Sequence, residues 1–231
     1  MSQGVSRPLK VFFKVIQGGL GRGNLGLLMS RHGTGKASVL VSLSVDHALE
    51  GKNSLHVSVG KPARDLRSHH DQVFRQLVKS LNLENREALC SLVNRHQQFY
   101  TFRTGSFDTA RLAQALDFLG EHAEFVPEVV EITGWPDFKE IPRAEMEALK
   151  QLALERNLKI WLTAHTTRDD EIAESGLPAQ VDRVEDLFTV LISLEPQGEE
   201  VRLNFLKVGN ERPKSKVNLL FDPATQLLRW H

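Results

Sequence analysis

The sequence predicts an α/β fold: a mainly parallel central sheet with helices on both faces and an antiparallel flank at its C-terminal end. Three observations carry this. Between Leu25 and Ala164, short apolar runs of β type alternate strictly with segments of helical period. A glycine-rich turn, Gly33-Thr34-Gly35-Lys36, joins the first such run to the first long helical segment. After Leu187 the alternation stops, and strand-like runs follow one another across short turns, the pattern of hairpins. The 231 residues fit one such domain, read as an N-terminal segment over residues 1–17 and the domain over residues 18–231.

Each element has its own signal. Leu25 to Met29 reads as a buried strand. The segment after the glycine-rich turn carries Val39, Leu40 and Leu43 on one helical side and stops near Gly51. Leu55, Val57 and Val59 alternate with His56 and Ser58, the mark of a strand. Val73, Leu77 and Leu81 recur every four residues, and a further helix covers Arg86 to Arg95. Phe99 to Phe102 is a third strand, after which Asp108 is placed to cap a helix with Leu112, Leu116 and Leu119 on its inner face. Val129 to Ile132 is a fourth strand, and Pro142 suits the first turn of a helix bearing Met146, Leu149 and Leu152. Lys159 to Ala164 is a fifth. Leu187–Leu194 and Val201–Leu206, joined by Pro196-Gln197-Gly198, and Val217–Phe221 and Leu227–Trp230, separated by Asp222-Pro223, complete an antiparallel flank.

Composition narrows the function classes. Basic and acidic residues number 29 each, so no global field favours nucleic acid or acidic membranes. Cys90 is the single cysteine, which excludes an internal disulfide and disfavours a thiolate metal site. No apolar run is long enough to span a bilayer, and the first ten residues lack the apolar core of a signal peptide; a cytoplasmic protein is expected.

The chemistry concentrates at Ser30-Arg31-His32-Gly33-Thr34-Gly35-Lys36-Ala37. Strand, glycine-rich turn, lysine and helix in that order make a P-loop layout, in which backbone N–H groups and a helix N-terminus hold phosphate. Against the pattern G-x-x-x-x-G-K-[ST], Ser30 replaces the first glycine and Ala37 the hydroxyl residue. Together with the entry Gly18-Gly19-Leu20-Gly21-Arg22-Gly23-Asn24-Leu25, the run Val129–Trp135, the strand end Leu162-Thr163-Ala164-His165 and the terminal pieces Val201–Lys207 and Leu219–Asp222, this loop resembles the RecA-like P-loop ATPase superfamily, most closely its KaiC-like branch. The resemblance spans nearly the whole chain from Gly18 onward and rests on order and spacing, since the loop itself is degenerate.

The resemblance implies roles position by position. Gly33, Thr34 and Gly35 would cradle phosphate, and Lys36 would supply a point charge to it. Ala37 cannot ligate Mg²⁺. Gly60 stands where relatives carry a water-activating glutamate, and Thr133 where an acidic residue anchors the metal shell. Glu131, two residues earlier and on the same side of the strand, is a candidate replacement that can reach Lys36 or a cation; the alternative is a structural pair with a lysine or arginine. His165 is a candidate sensor of a terminal phosphate, or simply a polar strand end. Lys207 and Arg212 are candidates for a subunit contact, with Gly209 where ring-forming relatives place an arginine.

Other chemistries find little support. His69-His70, with His47 and His96, match no compact ligand spacing, so solvated helix-surface histidines and no metal site are expected. The segment Thr166–Gly176 carries four carboxylates against one arginine and repels phosphate. Trp135 and Phe138 offer either base stacking or a packed turn. A small basic patch from Arg7, Lys10, Lys14, Arg22, Lys207, Arg212, Lys214 and Lys216 reads as a solvated surface or subunit contact. The expectation is a pseudoenzyme: weak ATP or ADP binding, poor Mg²⁺ retention, no hydrolysis, and a regulatory or scaffolding role through protein partners or self-association. The alternatives are an active ATPase using Glu131 and His165, or a recombination-type DNA-binding protein.

Overall fold

The computed structural model describes residues 9–213 and 217–230, the side chains of Lys10 and Val11 apart. Nine strands form one sheet in the order β3-β2-β4-β5-β1-β6-β7-β8-β9. β1 (Asn24–Ser30), β2 (Ser54–Val59), β3 (Gln97–Phe102), β4 (Val129–Thr133), β5 (Lys159–His165) and β6 (Phe188–Gln197) run parallel. β7 (Glu200–Val208), β8 (Leu219–Asp222) and β9 (Leu227–Trp230) continue the sheet antiparallel. The sixth strand differs from the expectation of a pure hairpin, because it pairs parallel with β1 as well as antiparallel with β7. Pro196 and Gln197, read as turn residues, lie within β6; the reversal falls at Gly198-Glu199.

The helices are α1 (Lys10–Val15), α2 (Lys36–Leu49), α3 (Ala63–Ser80), α4 (Arg86–Arg95), α5 (Thr109–Ala123), α6 (Arg143–Glu155) and the short α7 (Ala179–Asp182), with a 3₁₀ turn at Glu185–Leu187. Asp108 caps α5 as its sequence position suggests, accepting from Arg111 N at 2.8 Å, a bond that typically stabilises a helix by ~1 kcal/mol. Pro142 stands at the N-cap of α6, one residue before the helix proper. Residues 9–16 do not stand apart from the domain: Leu9, Phe12, Ile16 and Leu20 are buried in the same cluster as Leu28, Leu40 and Trp161.

Two apolar layers sandwich the sheet. One holds Leu25, Leu27, Met29, Leu55, Val57, Val130, Ile132, Ile160 and Leu162 against Leu112 and Leu116 of α5 and Met146 and Leu149 of α6. The other holds Leu28, Val129, Trp161 and Val190 against Val39, Leu40 and Leu43 of α2. α2 is buried continuously from Val39 to Ala48, because α3 and α4 close over its outer side through Val73, Leu77, Leu89 and Val93. All six residues of β2 are buried, His56 and Ser58 included, because α2 and α3 cover the face that bears them. No helix among the described residues is long and apolar enough to cross a membrane.

Gly26 of β1 lies under the Trp161 ring, and a Cβ there would come within 2.5 Å of ring carbons. Gly26→Ala is therefore expected to cost ~1–3 kcal/mol in urea unfolding by overpacking. Gly120→Ala in α5, where a Cβ meets nothing within 4 Å, is expected to be neutral or stabilising by up to ~1 kcal/mol. Equal loss in the two variants would contradict the packing described.

Candidate functional site

A cleft of about 770 Å³ opens where β1, β2, β4 and β5 end. Crevices beyond the carboxyl ends of parallel strands are the usual ligand sites of such sheets, because the loops there are free to carry function. Its lining brings together Gly33, Thr34, Gly35, Lys36 and Ala37 from the loop and start of α2, Thr133 from β4, and His165 from β5. These seven positions are the ones the sequence put forward for a cofactor.

The local reasons are steric. Gly33 and Gly35 have φ of +75° and +98°, values that side-chain-bearing residues rarely adopt. They reverse the chain between β1 and α2, and Gly35 is the N-cap of α2, so the first helical N–H groups face the cleft end. Lys36 folds back over the loop. Its ammonium donates to Ser30 O at 2.7 Å, Ser30 Oγ at 2.8 Å and Arg31 O at 3.1 Å, using all three of its protons on neutral acceptors. The hydroxyl of the serine that replaces the first glycine thus supplies one of the three bonds, and its carbonyl a second. Burial lowers the Lys36 pKa from 10.5 to about 8, which leaves it charged at neutral pH.

The charge of the lining is one-sided. Lys36, Lys61 and Lys139 face it with a single carboxylate, Asp137. Asp137 Oδ1 accepts from Lys139 N at 2.9 Å, and the Lys139 ammonium lies 3.1 Å from Asp170. Asp170 falls to about pKa 2: burial opposes its ionisation, but bonds from Thr167 and Lys139 outweigh it. His32 and His165 meet at the cleft with ring centroids 4.4 Å apart. Burial, then the nearby His32 and Lys36, lower the His165 pKa, favouring the neutral ring. Ala37 offers no oxygen, and the Thr133 hydroxyl points back to Val57 O at 3.4 Å.

Three sequence-derived positions lie elsewhere. Glu131 is absent from the cleft lining and is fully buried; its neighbour is His56, whose Nδ1 lies 2.8 Å from Glu131 Oε2. Its structural partner is thus a histidine rather than a lysine or arginine. Lys207 and Arg212 both reach Glu185, Lys207 largely buried and Arg212 at the surface. Lys207 Nζ donates to Glu185 O at 2.9 Å, and Arg212 reaches Glu185 Oε2 at 2.6 Å and Ser175 O at 2.8 Å. Arg7, Lys214 and Lys216 of the small basic patch lie outside the described residues. Phe138 is buried against Phe188, and Trp135 packs edge-on to Phe107, the packed-turn arrangement.

The expectation of solvated histidines fails for His47 and His70. His47 is buried and its Nδ1 lies 2.7 Å from Leu43 O. His70 of α3 is buried beside His56 of β2, with Nε2 2.8 Å from His56 Nδ1. Burial, then the charges of His56 and His69, push the His70 pKa well below its ordinary value. His56, His70 and Glu131 form a compact cluster whose ligand-type atoms all lie within 4.8 Å of one another. Sequence reasoning missed it. The available signal was a polar residue interrupting each of two apolar strands, His56 and Glu131, which the sheet register places side by side.

Neither a protein-family model nor any curated protein matches the chain.

Lys36 gives a pH test of the loop geometry. Its folded pKa of about 8 lies below the unfolded 10.5, so between those values the unfolded chain binds more protons. Stability is therefore expected to gain a rising contribution from about pH 8 to 10.5, and Lys36→Met to remove that part of the slope. Identical pH profiles for parent and variant in urea titrations would place the ammonium in solvent instead.

Proposed function

We propose that the chain is a RecA-like, KaiC-like P-loop protein that binds a nucleotide through its phosphates without hydrolysing it, and that it serves a regulatory or scaffolding role. The carrying observation is the cleft itself: a glycine-built turn, a helix N-terminus and three lysines against one lining carboxylate, with Lys139 paired to Asp170 outside the lining. Oriented N–H groups and an excess of cations suit a di- or triphosphate. The oxygen set that hydrolysis needs is lacking, since Ala37 and Thr133 in the lining, and Gly60 beside it, stand where the resemblance calls for metal ligands and a base. Glu131, on which a working hydrolase would draw, is sealed beneath the cleft. Lys207 and Arg212 are held by Glu185 within the same chain, which supports a role other than reaching a neighbour's phosphate.

Calorimetry with ATP and ADP tests this. Binding is expected both with and without Mg²⁺, to weaken at least about tenfold (~1.4 kcal/mol) in Lys36→Ala, and to occur with no release of inorganic phosphate. Magnesium-dependent turnover that disappears in Lys36→Ala would overturn the reading. Tight binding of single-stranded DNA that weakens with salt, without nucleotide binding, would replace it with the recombination reading.

Restoring ligands should restore the metal. Ala37→Thr combined with Thr133→Asp is expected to make nucleotide affinity Mg²⁺-dependent, by roughly tenfold, because it returns two oxygens to the cation's shell. Equal affinity with and without Mg²⁺ in that double variant would count against a P-loop arrangement of the site.

A further inference from the structure

We propose that His56, His70 and Glu131 form a binding site for one divalent transition-metal ion of the Zn²⁺ class, buried beneath the floor of the cleft. This inference does not depend on nucleotide binding.

His56 Nδ1 lies 2.8 Å from Glu131 Oε2 and also 2.8 Å from His70 Nε2. One ring nitrogen carries either one proton or one lone pair, so it can serve only one of these neighbours along a straight line. The rest of the cluster is left over. Neither oxygen of Glu131 receives a well-directed hydrogen bond, the close His56 Nδ1 being shared with His70. His56 Nε2 and His70 Nδ1 make none of good geometry, although Gln97 lies near enough to act on His70. All three residues are buried, with exposures of 2%, 3% and 0% for His56, His70 and Glu131. A buried carboxylate with empty lone pairs is costly. A single cation between the three groups uses the carboxylate charge and both imidazole lone pairs at once.

The donor set then selects the ion. Two imidazoles and a carboxylate suit Zn²⁺ and its first-row neighbours, and disfavour Mg²⁺ and Ca²⁺, which take oxygen ligands. Zn–N and Zn–O bonds of about 2.0–2.1 Å in a tetrahedron separate ligand atoms by about 3.3 Å. The two 2.8 Å approaches would open by about half an ångström, and the remaining pair, within 4.8 Å, would close by up to about 1.5 Å through side-chain rotation. The ligands come from β2, α3 and β4, and register places His56 directly opposite Glu131, so the ion would tie three elements together. Phe99 of β3 packs against both rings, at 6.3 Å from His56 and 4.8 Å from His70, and shields them.

The site lies close to the cleft without belonging to it. Ser58 and Thr133, which line the cleft, follow His56 and Glu131 by two residues on the same strand face, about 7 Å along. His69, next to the ligand His70, lines the cleft as well.

Full-length protein stripped with a chelator and then titrated with Zn²⁺ or Co²⁺ is expected to take up one equivalent at this site. The Co²⁺ form should show ligand-field absorption without a thiolate charge-transfer band, and X-ray absorption of the Zn²⁺ form should show two imidazoles and no sulfur. Glu131→Gln and His70→Gln are expected to weaken uptake by more than the roughly 10–100-fold that loss of a supporting residue costs. Lys36→Ala should leave it unchanged. Folded parent protein that takes up no ion would overturn the proposal, and the parent measurement alone decides this should either ligand variant fail to fold. So would uptake lost in His32→Ala and kept in the ligand variants, which would place the ion at the His32–His165 pair of the cleft instead.

Discussion

Both faces of β1, β2, β4 and β5 are covered, and that double burial decides where polar chemistry can go. One face of these strands is wholly apolar and packs on α5 and α6. The other face, toward α2, carries Ser30, Ser58, Thr133, Thr163 and His165 near its carboxyl end, and of these Ser58, Thr133, Thr163 and His165 line the cleft. One strand period deeper the same face carries His56 and Glu131, both buried from the surface. Polar groups at the rim can exchange partners with a ligand or with solvent. Those beneath must be satisfied by the protein or by an ion it keeps.

The rim itself is arranged around positive charge. The chain as a whole is neutral, yet the cleft carries three lysines and one carboxylate. The Lys36 ammonium is neutralised by no acid; carbonyl and hydroxyl dipoles hold it, and burial weakens its hold on its proton. An entering phosphate would trade neutral partners for charged ones, a favourable exchange in a partly desolvated site. Negative side chains close by would oppose that exchange unless a metal ion stood between them. The anion-holding role proposed above would draw on that exchange, with no metal-binding carboxylate to oppose it. The cations farther out point the same way, since Glu185 already occupies Lys207 and Arg212.

The architecture was legible because it rests on local patterns. Helical and strand periods, the glycines before Lys36 and the cap at Asp108 are written in neighbouring residues, and α4 begins and ends where its pattern does. Short elements were not legible: α7 and the 3₁₀ turn have too few residues to show a period, and α1 reads as tail until Phe12 is seen against Trp161. The convergence of Lys36, Thr133 and His165 followed from order along the chain. The neighbours of Glu131 did not. Its partners come from residues 56 and 70, and only the crossover that sets β2 beside β4 joins them. The alternation in β2 marks the strand but not the burial of its polar face, which a helix covers here.

The two sites share their supports. β2 and β4 each lend one residue to the cluster and another to the cleft, and α3 presents His70 to one and His69 to the other. A ligand at the rim could bias the cluster only if these elements had two arrangements to choose between. The packing argues for one. β2 is buried along its whole length, Val129 to Ile132 of β4 are buried, and a Cβ on Gly134 would lie 2.2 Å from Val59 O, so the two strand tips are already in contact. An ion bridging β2, β4 and α3 would reinforce that fixed geometry. Turnover in phosphate-transfer enzymes requires parts that close and release, whereas retention of a ligand requires a rigid floor. A ligand seated in the cleft would rest on this fixed floor, with the His56, His70 and Glu131 cluster one strand period beneath it.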